Sequence, residues 1–173
     1  IIISVVGDND AWMWNIPFSD GTTSVGVVCK EEYFESFEMN DEEFWKHIVY
    51  NYPQTATRYK NSKRIVEVGS LSAYSSAVTR LHDKNYILMG NASEFLDPVF
   101  SSGVTLALES GSKAAELTSR ELLGEEIDYN KEYDDYMMMG INVFREYVNA
   151  WYDGRLQEIF FSKNINEDIK KRI

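Results

Sequence analysis

Cysteine is almost missing from this sequence. Cys29 stands alone, which excludes a disulfide framework and any multi-cysteine metal site. It ends a β-branched run and reads as a small buried hydrophobe. Histidine is nearly as scarce: His47 falls mid-helix beside Trp45 and His82 falls in a turn, neither in a nucleophile or metal motif. Triad, zinc, iron–sulfur and thiol chemistry are therefore not expected. There is no Gly-x-Gly-x-x-Gly and no Walker loop, so no obvious phosphate cradle exists. No apolar run approaches the ~20 residues of a membrane span, and no signal peptide opens the chain. Basic residues are few: 17 Lys and Arg against 28 Asp and Glu leave a net charge of -11. A field of that sign repels phosphate backbones and anionic lipid, so neither nucleic acid nor membrane is an expected partner. Repeats and Pro/Gly/Ser-rich tracts are absent as well. A reducing cytoplasm is the expected compartment.

Core-forming material is plentiful, with 44% hydrophobic and 14% aromatic residues in 173. One domain, with or without a small appendage, is the expected size. The opening Ile1-Ile2-Ile3-Ser4-Val5-Val6 predicts a strand buried on both faces. It starts with no Met, turn or cap, as a fragment of a longer chain would. A turn at Gly7-Asp8-Asn9-Asp10, a strand over 12–17, a turn at Ser19-Asp20-Gly21 and a strand over 22–29 predict a hairpin. Seven acids and no base fill Glu31 to Glu43. Asn40 or Asp41 can cap a helix to about Tyr50, which Pro53 stops. The acids suit a helix start; an acidic docking face is the other reading. Arg58, Lys60, Lys63 and Arg64 form an isolated basic cluster, either a solvated turn or an anion contact for substrate or carrier. Ile65–Val68, Ser72–Val78 and Tyr86–Met89 predict three further strands, with a turn at His82–Asn85.

Beyond residue 104 the period becomes helical. Val104, Ala107, Leu108, Gly111, Ala114, Ala115, Thr118 and Leu122 share one narrow face, and Gly124 is placed to cap the helix. Asp128 to Tyr152 predicts a second helix with Met137, Met138 and Met139 as core filling. Residues 155–172 predict a charged last helix with Leu156, Ile159, Phe160 and Ile165 as its apolar positions.

Chemistry concentrates in one segment, Tyr86 to Val104: a strand, a loop of small and polar residues, and a helix start. Gly90 permits a sharp turn or close approach to a ligand. Asn91 follows the strand's carboxyl end, where α/β-type sites keep polar ligand groups. Ser101-Ser102-Gly103 opens a helix with free N–H groups and the positive dipole end, an anion site by construction. A capped helix after a strand explains the same residues without function.

The segment resembles the second flavin-contacting motif of the FAD-dependent monooxygenase and halogenase superfamily, which shares the p-hydroxybenzoate hydroxylase fold. Members show Gly-Asp-Ala-Ala, then a Pro and a Gly-containing helix start. Asp97-Pro98-Val99-Phe100-Ser101-Ser102-Gly103-Val104 is closest to the halogenase-like branch. Trp12-Met13-Trp14-Asn15-Ile16-Pro17 fits that branch's Trp-x-Trp-x-Ile-Pro in full, and Ser24-Val25-Gly26-Val27 resembles it too. The resemblance covers about residues 1–125. It implies an α+β fold: a mixed or antiparallel substrate-side sheet, a long flavin-facing helix, then C-terminal helices. The implied organisation is a sheet with one helix over 1–90, the flavin-contacting loop and helix over 91–125, and a helical tail over 126–173. An N-terminal FAD-binding part and a catalytic lysine would lie outside these residues, leaving this segment inactive alone.

By position, the resemblance assigns cofactor contact to Gly90, Asn91, Asp97, Pro98, Ser102, Gly103 and Val104. Asn91 stands where an Asp normally bonds the ribityl hydroxyls, a departure an amide can serve. Pro98 would lie against the isoalloxazine ring, and the N–H groups of Ser102 and Gly103 would meet the flavin edge and hold halide. Trp12, Trp14, Ile16 and Pro17 would line the channel to substrate; aromatic packing in a hairpin explains the tryptophans equally well. The implied activity is halogenation of an electron-rich substrate, small or carrier-bound, with reduced flavin, oxygen and halide. A flavin reductase is a possible partner. A dehydrogenase or prenyl-lipid reductase on the same fold, or a non-catalytic docking module, are the rival readings.

Overall fold

The computed structural model describes residues 1–7 and 10–162. The chain divides into two compact units, Ile1–Ser72 and Ala73–Ile173. Asp8 and Asn9 of the first turn, and Ile165 of the last helix, lie outside the described residues.

In the first unit β1 (Ile2–Val6), β2 (Ala11–Pro17) and β3 (Thr23–Cys29) form an antiparallel three-stranded sheet in that order. The second turn forms as the sequence predicts. Asp20 Oδ1 accepts from Thr22 N at 2.9 Å and Thr22 Oγ1 at 2.7 Å, which lowers the Asp20 pKa. The first strand forms, but its expected burial on both faces is overturned. Among the described residues β1 is an edge strand paired only to β2, with Ile2 and Ile3 exposed and Val6 buried. A β-branched run supplies strand propensity, but burial depends on what covers it.

Side chains alternate along β2. Ala11 and Met13 join Val6, Phe44, Ile48, Val49 and Tyr59 in one core. Trp12, Trp14 and Ile16 point to the other face. The acidic stretch becomes two helix starts, α1 (Glu31–Glu35) and α2 (Asp41–Asn51). Asn40 and Glu43 form a reciprocal capping box. Asn40→Ala should cost about 1 kcal/mol, read as a lowered urea midpoint with an unchanged slope. Pro53 ends α2 as expected, then occupies the first turn of α3 (Pro53–Tyr59), a helix the residues had not indicated. Cys29 is half-buried, and burial pushes its thiol pKa up.

Ile65–Val68 forms no strand: Ile65 and Val66 are exposed, and among the described residues no backbone pairs with them in a ladder. In the second unit, the strand expected over 72–78 shrinks to β4 (Ser76–Ala77), and that over 86–89 to β6 (Tyr86–Ile87). β5 (His82–Asp83) and β6 make a short hairpin, while β4 pairs with β7 (Glu94–Phe95).

The long helix α4 (Ser102–Leu122) ends near Gly124, whose φ is +94. Its buried face is not the predicted stripe. Leu106, Ser110, Ala114 and Leu117 face inward, whereas Val104, Leu108 and Leu122 are 71%, 70% and 82% exposed. Leu106, Ala114 and Leu117 pack with Leu81, Tyr133, Met137 and Ile141, so these partners, rather than the count of apolar residues, set the rotation. A π-helical turn at Asn130–Asp135 leads into α5 (Tyr136–Tyr152) and brings Tyr133 into this core. Tyr133 OH donates to Leu88 O at 2.7 Å, and burial pushes its pKa up to about 12. Met137 is buried and Met138 packs on the core as expected, but Met139 is exposed. α6 (Arg155–Phe161) follows, with Leu156 buried. Among the described residues, no helix is long and apolar enough to cross a membrane.

Candidate functional site

Gly90 begins the loop that the sequence singles out. Its φ is +56, and a Cβ there would sit 3.2 Å from Ala107 Cβ, so the turn and the close approach to α4 both require glycine. The buried Ser110 hydroxyl accepts from Gly90 N at 2.9 Å, and Ser93 Oγ donates to Gly90 O at 2.7 Å. Asn91 is left exposed at the tip. A Cβ at Gly103 would lie 3.8 Å from Asn91 Oδ1, so the carboxamide sits against the start of α4.

Asp97 caps the next short turn, Pro98–Phe100, with Oδ1 accepting from Val99 N at 3.0 Å. Pro98 is exposed. Ser101 then takes a left-handed conformation, φ 51, one of three non-glycine residues that do so among the described residues. The Ser101 side chain does not cap α4, and the first N–H groups, those of Ser102 and Gly103 among them, have no intrahelical acceptor. The Ser102 side chain is buried, while Gly103 is partly open and Val104 fully so. Thus Asn91, Pro98, Ser102, Gly103 and Val104 cluster around one helix N-terminus. Asp97 is turned inward from it.

In the first unit Trp12 is 2% exposed, and its ring centroid lies 6.0 Å from that of Trp14. Trp14 lies across Gly26, its cross-strand partner, with Nε1 donating to Ser24 Oγ at 3.0 Å. Asn15, the second variable position of the signature, is buried: Tyr59 OH donates to its Oδ1. Beside it opens a cavity of about 330 Å³ that Arg58, Tyr59 and Ser62 help to line. Of the basic cluster, Arg64 is tied to Glu42 at 3.0 Å. His82 Nδ1 meets Asp134 Oδ1 at 2.8 Å beside Tyr129, on a groove of about 1090 Å³ in the second unit. Sequence reading missed Ser110, Tyr74 and Tyr152 as supports of the loop, because nothing local marks them.

A model of the tryptophan halogenase family matches residues 3–173. The chain belongs to the tryptophan halogenase family. Among its relatives is a 1H-pyrrole-2-carbonyl-[peptidyl-carrier protein] chlorinase of Pseudomonas fluorescens, 28% identical over 92% of this chain and 36% of that protein. A flavoprotein/dehydrogenase of Cytophaga hutchinsonii superposes with a TM-score of 0.85 at 41% identity, over 93% of this chain and 40% of that one. A flavin-dependent brominase superposes at 0.73 with 25% identity, over 95% and 41%. This tryptophan halogenase family chain therefore spans about two fifths or less of the length of these relatives. A flavin suits the donor set here: an exposed amide for hydroxyls, a proline face for a ring, and uncapped N–H groups for a ring edge or an anion.

Proposed function

We propose that this chain is the flavin- and halide-facing part of an FAD-dependent halogenase acting on an electron-rich substrate. One observation carries the reading: the N-terminus of α4 meets Asn91, shortly after Pro98, in a chain whose relatives include flavin-dependent halogenases. When bound, the flavin supplies the electrons with which dioxygen is activated to oxidise halide. Asn91 bonds the ribityl hydroxyls, and Pro98 gives the ring a flat apolar face. The N–H groups of Ser102 and Gly103 hold halide and the flavin edge, and the α4 dipole favours negative charge there. Trp12, Trp14, Ile16 and Pro17 line the way to substrate, and the catalytic lysine lies outside this chain. The proposed division is 1–90 for the substrate sheet, 91–125 for the flavin loop and helix, and 126–173 for the tail.

A carrier-bound substrate is supported by likeness to the chlorinase, whose substrate is a pyrrole carried on a peptidyl carrier protein. A flavin reductase completes the proposed partners, and the cytoplasm is the proposed compartment, which suits the single cysteine, Cys29. The test uses the full-length protein, reduced FAD, oxygen and bromide or chloride. Product that carries halogen and disappears without halide is the expected result; hydride transfer with no halide dependence overturns it. That second outcome would support a dehydrogenase, the reading favoured by likeness to the Cytophaga flavoprotein. Asn91→Ala should weaken FAD binding about tenfold, the loss of a well-placed hydrogen bond, measured by flavin fluorescence titration.

A further inference from the structure

We propose that Tyr74 and Tyr152 are positioning residues that hold the Asp97 carboxylate away from the N–H groups at the start of α4, leaving those groups free for halide; this rests on the halogenase reading.

Asp97 is 8% exposed and stands five residues before Ser102. Three donors satisfy it. Val99 N meets Oδ1 at 3.0 Å, and the phenols of Tyr74 and Tyr152 both meet Oδ2, at 2.9 and 2.8 Å. The donors come from distant parts of the chain. Tyr74 precedes β4 and packs on Phe95 at 5.9 Å, while Tyr152 ends α5. The same end of α5 holds the other side of the turn: Phe100 meets Tyr147 at 5.7 Å and Trp151 at 6.2 Å, both edge-on. The Pro98–Phe100 turn is thus gripped at both flanks. Backbone strain gathers around the grip, since Ala73, beside Tyr74, and Ser101, after Phe100, both have positive φ.

A buried carboxylate needs its donors. Without the phenols, the nearest unsatisfied donors in the same loop are the N–H groups that open α4, and a relaxed turn would let Asp97 take them. An anion on the protein would then compete with the anion in solution. The phenols therefore serve the halide by occupying the carboxylate.

Full-length enzyme carrying Tyr74→Phe and Tyr152→Phe together tests this. The KM for bromide should rise about tenfold, the scale of a charge-assisted hydrogen bond. The thermal midpoint and kcat at saturating bromide should stay near those of the unchanged enzyme, because the carboxylate finds new donors and excess halide displaces it. Adding Asp97→Asn to the double variant should restore bromide KM, because the competing charge is gone while Oδ1 can still accept from Val99 N. A merely structural role would instead lower the thermal midpoint of the double variant, with Asp97→Asn restoring that midpoint along with KM. An unchanged bromide KM in the double variant, or a raised KM that Asp97→Asn fails to restore, overturns the positioning role alone. Unchanged enzyme that forms product without halide overturns the halogenase reading and this inference together.

Discussion

Gly26→Ala drives the Trp14 indole off β3: that is the expected result, and it should be among the most damaging small substitutions in the first unit. A Cβ at Gly26 would lie 2.0 Å from Trp14 Cζ2, 2.2 Å from Cη2 and 2.4 Å from Cε2. No rotamer adjustment of a methyl can relieve that, so the indole must leave. Its departure also breaks the 3.0 Å bond from Nε1 to Ser24 Oγ and disturbs the 6.0 Å contact with Trp12. Overpacking of this kind costs about 1–3 kcal/mol, and the lost hydrogen bond adds about 1. Urea unfolding should show the loss, and tryptophan fluorescence should shift to the red as the indole meets water. Ser24→Ala should loosen Trp14 without expelling it, giving about 1 kcal/mol and a smaller spectral change. Wild-type fluorescence and stability in Gly26→Ala would sink the idea that this glycine is a seat for the indole.

The second large effect lies in the other unit. The Glu94 side chain is 4% exposed, and Arg145 Nη2 meets its Oε1 at 2.8 Å. Arg145 is itself oriented by Asn142, at 2.7 Å from Nη1. Removing one partner of a buried pair leaves an uncompensated charge, a loss of about 3–5 kcal/mol. Because the Arg145 side chain is 36% exposed, the lower end, about 3 kcal/mol, is expected for Arg145→Met. Pairing that change with Glu94→Gln should recover most of the loss. Denaturant midpoints of the single and double variants check this; an unchanged midpoint in Arg145→Met, or a loss that Glu94→Gln fails to recover, contradicts it.

Both effects involve residues whose importance is invisible in a linear reading, for different reasons. Gly26 lies in a segment that resembles the halogenase branch, but twelve positions separate it from Trp14 and only strand register brings them together. Glu94 sits in the loop that follows Gly90, yet its partner is 51 residues away on α5. Ser110, likewise, is an ordinary helical serine until Gly90 N is seen to donate to it across 20 residues.

What the sequence determined by itself was local. Asn40 and Glu43 cap α2 because a capping box closes within four residues. Gly124 stands just past the end of α4, and Pro53 separates α2 from α3, through their own backbone preferences. Trp12 to Pro17 and Asp97 to Val104 are ordered motifs, and their resemblance to the halogenase branch holds whatever surrounds them. What only the tertiary structure decided was anything needing a partner. The face α4 buries, the exposure of Ile2 and Ile3 on an edge, and the failure of 65–68 to become a strand all depend on which surface arrives to cover or pair with them. Asp97 shows the same division within one residue. Its cap on Val99 N spans two residues, while the phenols of Tyr74 and Tyr152 reach it from 23 residues before and 55 after. Short-range bonds follow from the chain's own geometry, whereas long-range ones follow from packing, which no local pattern encodes.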